Sequence, residues 1–152
     1  MSTNTPANGA ITAQGLVKTY MRGQSPVHAL AGINLSLPQG TQVAIMGPSG
    51  SGKTTLLHCL AGVLRPTAGR ITVGGVETTS LSERAMSAMR LRSFGFVFQD
   101  DNLVTSLSAR DNVSLPGRLR RKPLSRSAVD DARERVGLSE QARHLPHQMS
   151  GG

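Results

Sequence analysis

The eight residues Gly47-Pro48-Ser49-Gly50-Ser51-Gly52-Lys53-Thr54 constrain this chain more than any other feature of it. They fit the pattern G-x-x-x-x-G-K-[ST], which residue frequencies alone would produce in about one chain in a hundred or fewer. Glycines let the backbone turn back on itself without Cβ clashes, so successive N–H groups point at one centre and form an anion-binding nest. The surroundings suit that nest. Thr41 to Met46 reads as a compact apolar strand entering the loop, and Leu56, Leu57, Leu60, Val63 and Leu64 recur at helical spacing behind it. A helix starting there adds its unpaired N-terminal amides and the positive end of its dipole, and Lys53 adds a full charge for β- and γ-phosphates. Thr54 Oγ1 is placed to ligate Mg²⁺. The pattern therefore points to a bound nucleoside triphosphate with its magnesium.

The remaining elements fall around this loop. Ile11 to Tyr20 and Val27 to Leu37 carry alternating or apolar runs broken by Gly23, Pro26 and Pro38, the pattern of antiparallel strands. The loop helix should stop between Gly62 and Pro66. Arg70–Val73 and Val76–Thr79 flank Gly74-Gly75, a hairpin signature. A helix is expected from Ser82 to about Arg92, a buried strand over Phe94–Phe98, and helices over Ser108–Val113 and Ser127–Val136, the last stopped by Gly137. The first ten residues are small and polar and read as a disordered N-terminus.

Composition narrows the function classes. The net charge is +8, and residues 1–76 contain no Asp or Glu. A second basic cluster, Arg118, Arg120, Arg121, Lys122 and Arg126, follows Pro116, but no aromatic residue interleaves with it, so no nucleic-acid partner is expected. With 3% aromatic residues and no Trp, the core must come from Leu, Val, Ile, Ala and Met. Cys59 is the single cysteine, which excludes an internal disulfide and fits a reducing compartment. No run approaches the roughly 18 apolar residues of a membrane helix, and the four histidines lack the company a zinc site needs.

From Tyr20 to Gly152 the chain resembles the nucleotide-binding domain of ATP-binding cassette (ABC) transporters, with four landmarks in the family's order. The first is Leu16-Val17-Lys18-Thr19-Tyr20, where the family sets an aromatic ring, here Tyr20, against adenine. The second is the loop itself extended to Thr55, followed by Leu56-Leu57 and Ala61-Gly62. The third, Phe96-Val97-Phe98-Gln99, resembles the glutamine loop, whose Gln99 would reach Mg²⁺ and the attacking water. The fourth, Met149-Ser150-Gly151-Gly152, resembles the opening of the signature sequence, with Met where Leu is usual; there Ser150, Gly151 and Gly152 would cap the γ-phosphate of ATP held by an opposite subunit. Gly69–Thr72, Gly95–Leu103 and Asp111–Pro116 most resemble the subgroup serving lipoprotein-releasing and macrolide-export systems, although Thr41 and Asp111 stand where Glu is frequent.

The resemblance implies an α/β fold of the P-loop NTPase type, with an N-terminal antiparallel β subdomain and loop core over residues 11–98. A glutamine loop and partial helical subdomain would occupy 99–152, and the core sheet would be incomplete. Its implied partners are a transmembrane permease subunit and a second nucleotide-binding domain, at the cytoplasmic face of the membrane. Phe96 to Asp100 superficially imitates the apolar strand that ends in the hydrolytic Asp, but Gln99 interrupts it. The acidic strand and the switch histidine are expected beyond Gly152, so this chain should bind ATP without hydrolysing it. Strand Thr41–Met46 should then lack neighbours and expose its backbone and apolar faces. Two other readings remain: a soluble cassette ATPase acting on DNA or ribosomes, and a non-catalytic ATP-binding module.

Overall fold

The computed structural model describes residues 11–98 and 102–149. The chain divides into two compact units, the boundary falling after Arg90.

The first unit is built on an antiparallel sheet in the order β2-β1-β3-β4. β1 (Ile11–Arg22) is central, and both β2 (Ser25–Leu37) and β3 (Ala68–Val73) pair with it. β4 (Val76–Glu77) closes the expected hairpin on β3. Alternation along β1 sends Ala13 and Leu16 inward, and the one-residue slip this needs is taken up by a bulge at Gly15. Asn34 Oδ1 accepts the bulge amide of Gly15 at 2.8 Å, so the irregularity is satisfied rather than orphaned.

Helix α1 (Lys53–Leu60) packs its Cys59 and Leu60 against the inward residues Ala13, Leu16, Leu30 and Ile71, and this is the core of the unit. Burying Leu16 or Ile71 contributes about 2 kcal/mol each by area. α1 ends on Ala61, and Gly62 leaves in the left-handed conformation (φ 65°) as the sequence predicts. α2 (Glu83–Ser93) follows; its start is capped by Ser82, whose Oγ accepts the Ala85 amide.

Two expected strands are absent among the described residues. Thr41–Met46 forms no regular element and pairs with no strand, and Met46 is 87% exposed. A strand exists only through its ladder, and no element of this sheet lies alongside it. Phe94–Phe98 likewise forms no strand and is not buried: Val97 is 97% exposed, and Phe96 and Phe98 stack on each other with centroids 4.4 Å apart. Apolar composition marked both segments, yet burial needs a facing surface that the local sequence does not supply.

The second unit pairs α3 (Ala109–Leu119) with α4 (Arg126–Glu134). α3 is capped by Ser108, whose Oγ accepts the Asp111 amide, and α4 by Ser125, whose Oγ accepts the Ala128 amide. The first amides of α3 find the returning chain: Ala109 donates to His144 O and Arg110 to Ala142 O. Asn112 donates to the carbonyls of Val104, Leu107 and Ser108 and accepts from the Val104 amide, fixing the segment ahead of the helix. α3 runs six residues past the expected end at Val113 and passes through Pro116. The proline removes one backbone bond, but Arg120 still donates to Pro116 O, and Leu124 packs on the small Gly117. A short 3₁₀ turn, Pro146–Gln148, ends the described chain.

Candidate functional site

Residues Gly47 to Thr55 join the segment Thr41–Met46 to α1 as a glycine-punctuated loop. Gly50 (φ 78°) and Gly52 (φ 86°) occupy the left-handed region that other residues avoid. At Gly52 a second constraint applies, because a Cβ there would lie 2.3 Å from the carbonyl oxygen of Ala29 on β2. The loop is thereby pressed onto the sheet on one side, whereas a Cβ at Gly50 would meet nothing within 4 Å. Ser51 donates to Pro48 O, and its side chain sits beneath Gly47.

The start of α1 has no side-chain cap and no acidic residue in its first turn. The first helical bond runs from Leu56 N–H to Gly52 O at 2.8 Å, so the amides of Lys53, Thr54 and Thr55 have no carbonyl four residues back within the helix. An uncapped helix start behind a glycine loop is a site of positive potential. Lys53 Nζ lies inside the same curve, donating to Gly47 O at 2.9 Å and Pro48 O at 2.7 Å. Thr54 is exposed and Thr55 half-buried. The Thr54 hydroxyl offers one hard oxygen, which suits Mg²⁺, a cation that keeps several waters and takes its other ligands from phosphate oxygens. Among the described residues no cluster of three or more His, Cys, Asp or Glu could hold a metal alone.

Tyr20 stands on β1 opposite Val27, two residues along β2 from the Ala29 carbonyl that abuts Gly52. Two strand residues span about 7 Å, so the ring and the loop belong to one neighbourhood. Tyr20 is 41% exposed, and Lys18 Nζ lies 5.3 Å from its centroid. Lys18 also donates to Arg65 O at 2.8 Å. Sequence reasoning passed over Lys18 as a site residue, though its i, i+2 spacing from Tyr20 puts both on one face of the strand. One ring face thus carries a cation.

Behind the loop, Cys59 is fully buried, and burial pushes its thiol pKa up against a smaller opposing pull from Lys18. It lines a small cavity of about 40 Å³ with Gly62, Ile71, Thr78 and Met86, below the loop helix. The other expected site residues, Gln99 and Ser150, Gly151 and Gly152, lie outside the described residues.

The ABC transporter family model matches residues 30–152, most of the chain and all of the loop. This chain belongs to the ABC transporter family. Among its ABC relatives, the lipoprotein-releasing system ATP-binding protein LolD of Bordetella pertussis is 42% identical over 145 residues, covering 94% of this chain and 63% of that protein. LolD of Legionella pneumophila is 40% identical over 149 residues, with 93% and 63% covered. Among solved structures, the ATP-binding cassette MJ0796, dimeric and bound to ADP and Pi in a post-hydrolysis state, superposes with a TM-score of 0.87 at 34% identity over 93% of this chain and 63% of its own. The ABC cassette fold, an antiparallel strand subdomain with helices in a mixed α/β arrangement, is therefore the fold of this chain, which spans 63% of the length of these relatives.

Proposed function

We propose that this chain binds MgATP in the Gly47–Thr55 loop and contributes that site to a longer ATPase subunit of an ABC transporter. The observation that carries the reading is the conjunction at one point of an uncapped helix start, a left-handed Gly52 pressed onto β2, and the Lys53 ammonium. Tyr20 would stack on the adenine, Lys53 would bridge the β- and γ-phosphates, and Thr54 would complete the magnesium shell. Gln99 would meet the same metal and the attacking water. The bound magnesium would neutralise charge on the transferred phosphoryl group.

The relatives named for lipoprotein release support a membrane permease partner and extraction of a lipid-anchored substrate. The dimeric cassette bound to ADP and Pi supports a second copy closing over the nucleotide, and by the family resemblance Ser150, Gly151 and Gly152 would face the γ-phosphate. No described helix is long and apolar enough to cross a membrane, and the proposed place of the subunit is peripheral, on the cytoplasmic face. ATP turnover is proposed only for a polypeptide carrying a further acidic strand, because Gln99 interrupts the run from Phe96 to Asp100 that would otherwise imitate one.

Calorimetry tests the core of this reading. The chain should bind MgATP, and Lys53→Ala should weaken binding on the order of a hundredfold, the worth of two charge-assisted bonds. Phosphate release should appear only when the sequence is extended to the length of its relatives. Equal affinity in Lys53→Ala would remove the loop from nucleotide binding; hydrolysis by the 152-residue chain would overturn the proposed need for more sequence.

A further inference from the structure

The corner between α3 and α4 is more basic than folding requires. From Arg118 to Arg126 it reads Arg-Leu-Arg-Arg-Lys-Pro-Leu-Ser-Arg, and no carboxylate occurs between Asp111 and Asp130. Arg118 reaches Asp111 at 3.4 Å and Arg126 reaches Asp130 at 3.9 Å. Arg120, Arg121 and Lys122 are exposed and form no ion pair among the described residues. A helix C-terminus attracts cations, and that attraction accounts for Arg118 near the last turn. It acts on Arg121 as well, but does not explain why a position that favours glycine holds an arginine.

Arg121 sits just past the α3 C-cap with φ 55°, a left-handed position that favours glycine. Its amide donates to Arg118 O and the Lys122 amide to Gly117 O, both at 3.0 Å, the paired bonds of a Schellman ending. A charged side chain is thus held where glycine would relieve the backbone, and an outlier of this kind points from conformation to function. A second feature is independent of charge. Leu119 and Leu124, on either side of the three cations, are 60% and 48% exposed.

Cations between exposed leucines match the boundary of an anionic bilayer, which offers phosphates to the first and acyl chains to the second. A nucleic acid would also attract the charge, but no aromatic residue occurs from Gln99 to Gly152 to stack on a base. We propose that the α3–α4 corner docks on anionic phospholipid headgroups, with Arg120, Arg121 and Lys122 on the phosphates and Leu119 and Leu124 at the acyl boundary. This deepens the peripheral-membrane reading, and its test uses no nucleotide, so its failure would leave ATP binding untouched.

The test is co-sedimentation of the chain with vesicles of phosphatidylglycerol and phosphatidylcholine, beside vesicles of phosphatidylcholine alone and single-stranded RNA. Binding to the mixed vesicles should be salt-sensitive and exceed binding to neutral ones, at about fivefold in partitioning per basic residue. Arg121→Gly is the decisive variant. It should unfold at the same or a higher temperature than the parent yet partition about fivefold less. Replacing Arg120, Arg121 and Lys122 together by Gln should lower partitioning about a hundredfold, and Leu119→Ser should lower it without changing the salt dependence. Undiminished binding by Arg121→Gly, equal binding to neutral vesicles, or a preference for RNA over vesicles would overturn the proposal.

Discussion

Gly52 does two jobs that no other residue can share, holding a left-handed turn and letting the loop touch the Ala29 carbonyl. Gly52→Ala should therefore lower stability by more than about 2 kcal/mol and abolish ATP binding, read by denaturant unfolding and calorimetry together. Unchanged stability would mean that the β2 contact is dispensable. Cys59 gives a residue-level prediction of a different kind. Its thiol pKa is raised from the ordinary 9.0 by burial, so between 9.0 and the raised value the unfolded chain releases a proton that the folded chain keeps. The thiol's own contribution to stability should be constant below pH 9.0 and fall as pH climbs through that window; in Cys59→Ala this part of the slope should vanish. The loop was legible because its chemistry is local, each glycine and the lysine fixed by its neighbours in sequence. The cation over Tyr20 was not singled out, because it depends on where the long Lys18 side chain comes to rest.

Among the elements, the α3–α4 pair is tied by Asp130. The hydrogen bond from Arg110 holds its carboxyl below the ordinary 3.8 against some desolvation, and the charges of Arg110, Arg133 and Arg126 pull the same way. Arg133, itself buried, bonds Asp130 Oδ1 at 2.5 Å and also the carbonyls of Leu138 and Ser139. Because the folded carboxylate holds its proton less tightly than the unfolded one, its contribution is present above pH 3.8 and fades as pH falls through the lower folded value. Asp130→Asn should melt the helical unit more easily at neutral pH, and circular dichroism should show the gap to the parent closing in acid. A gap that persists unchanged at pH 2 would assign the effect to shape and not to charge. α3 was readable from Ser108 and α4 from its apolar face, although α4 is capped by Ser125 ahead of the expected start at Ser127. The end of α3 was not, since Pro116 reads as a stop and only the packing of Leu124 on Gly117 carries the helix onward. Phe94–Phe98 was misread for a related reason: apolar composition announces a wish to be buried but does not name the surface that buries it. Thr41–Met46 forms no strand, but its exposure follows from the want of neighbours that the sequence already implied.

At the scale of the whole molecule, fold class and family were legible because four landmarks occur in one order along the chain, and the family match over residues 30–152 spans the last three of them. The state of the isolated chain is set by surfaces the landmarks do not describe. β2 is the outermost strand of its sheet, 13 residues long and without a charged residue; its pairing with β1 passes over Ala29, Gly32 and Asn34, and Pro26 has no amide to donate. A neutral margin of that length is a template on which another copy can lay its own strand. Loss of soluble protein should then depend on concentration more steeply than on temperature, the mark of molecules zippering together and not of one molecule melting. Ser36→Lys places a positive charge on this margin at an exposed position. It should delay turbidity on storage while leaving ATP affinity as it was, which would locate the chain's shelf life at the far end of the strand whose Ala29 the loop touches.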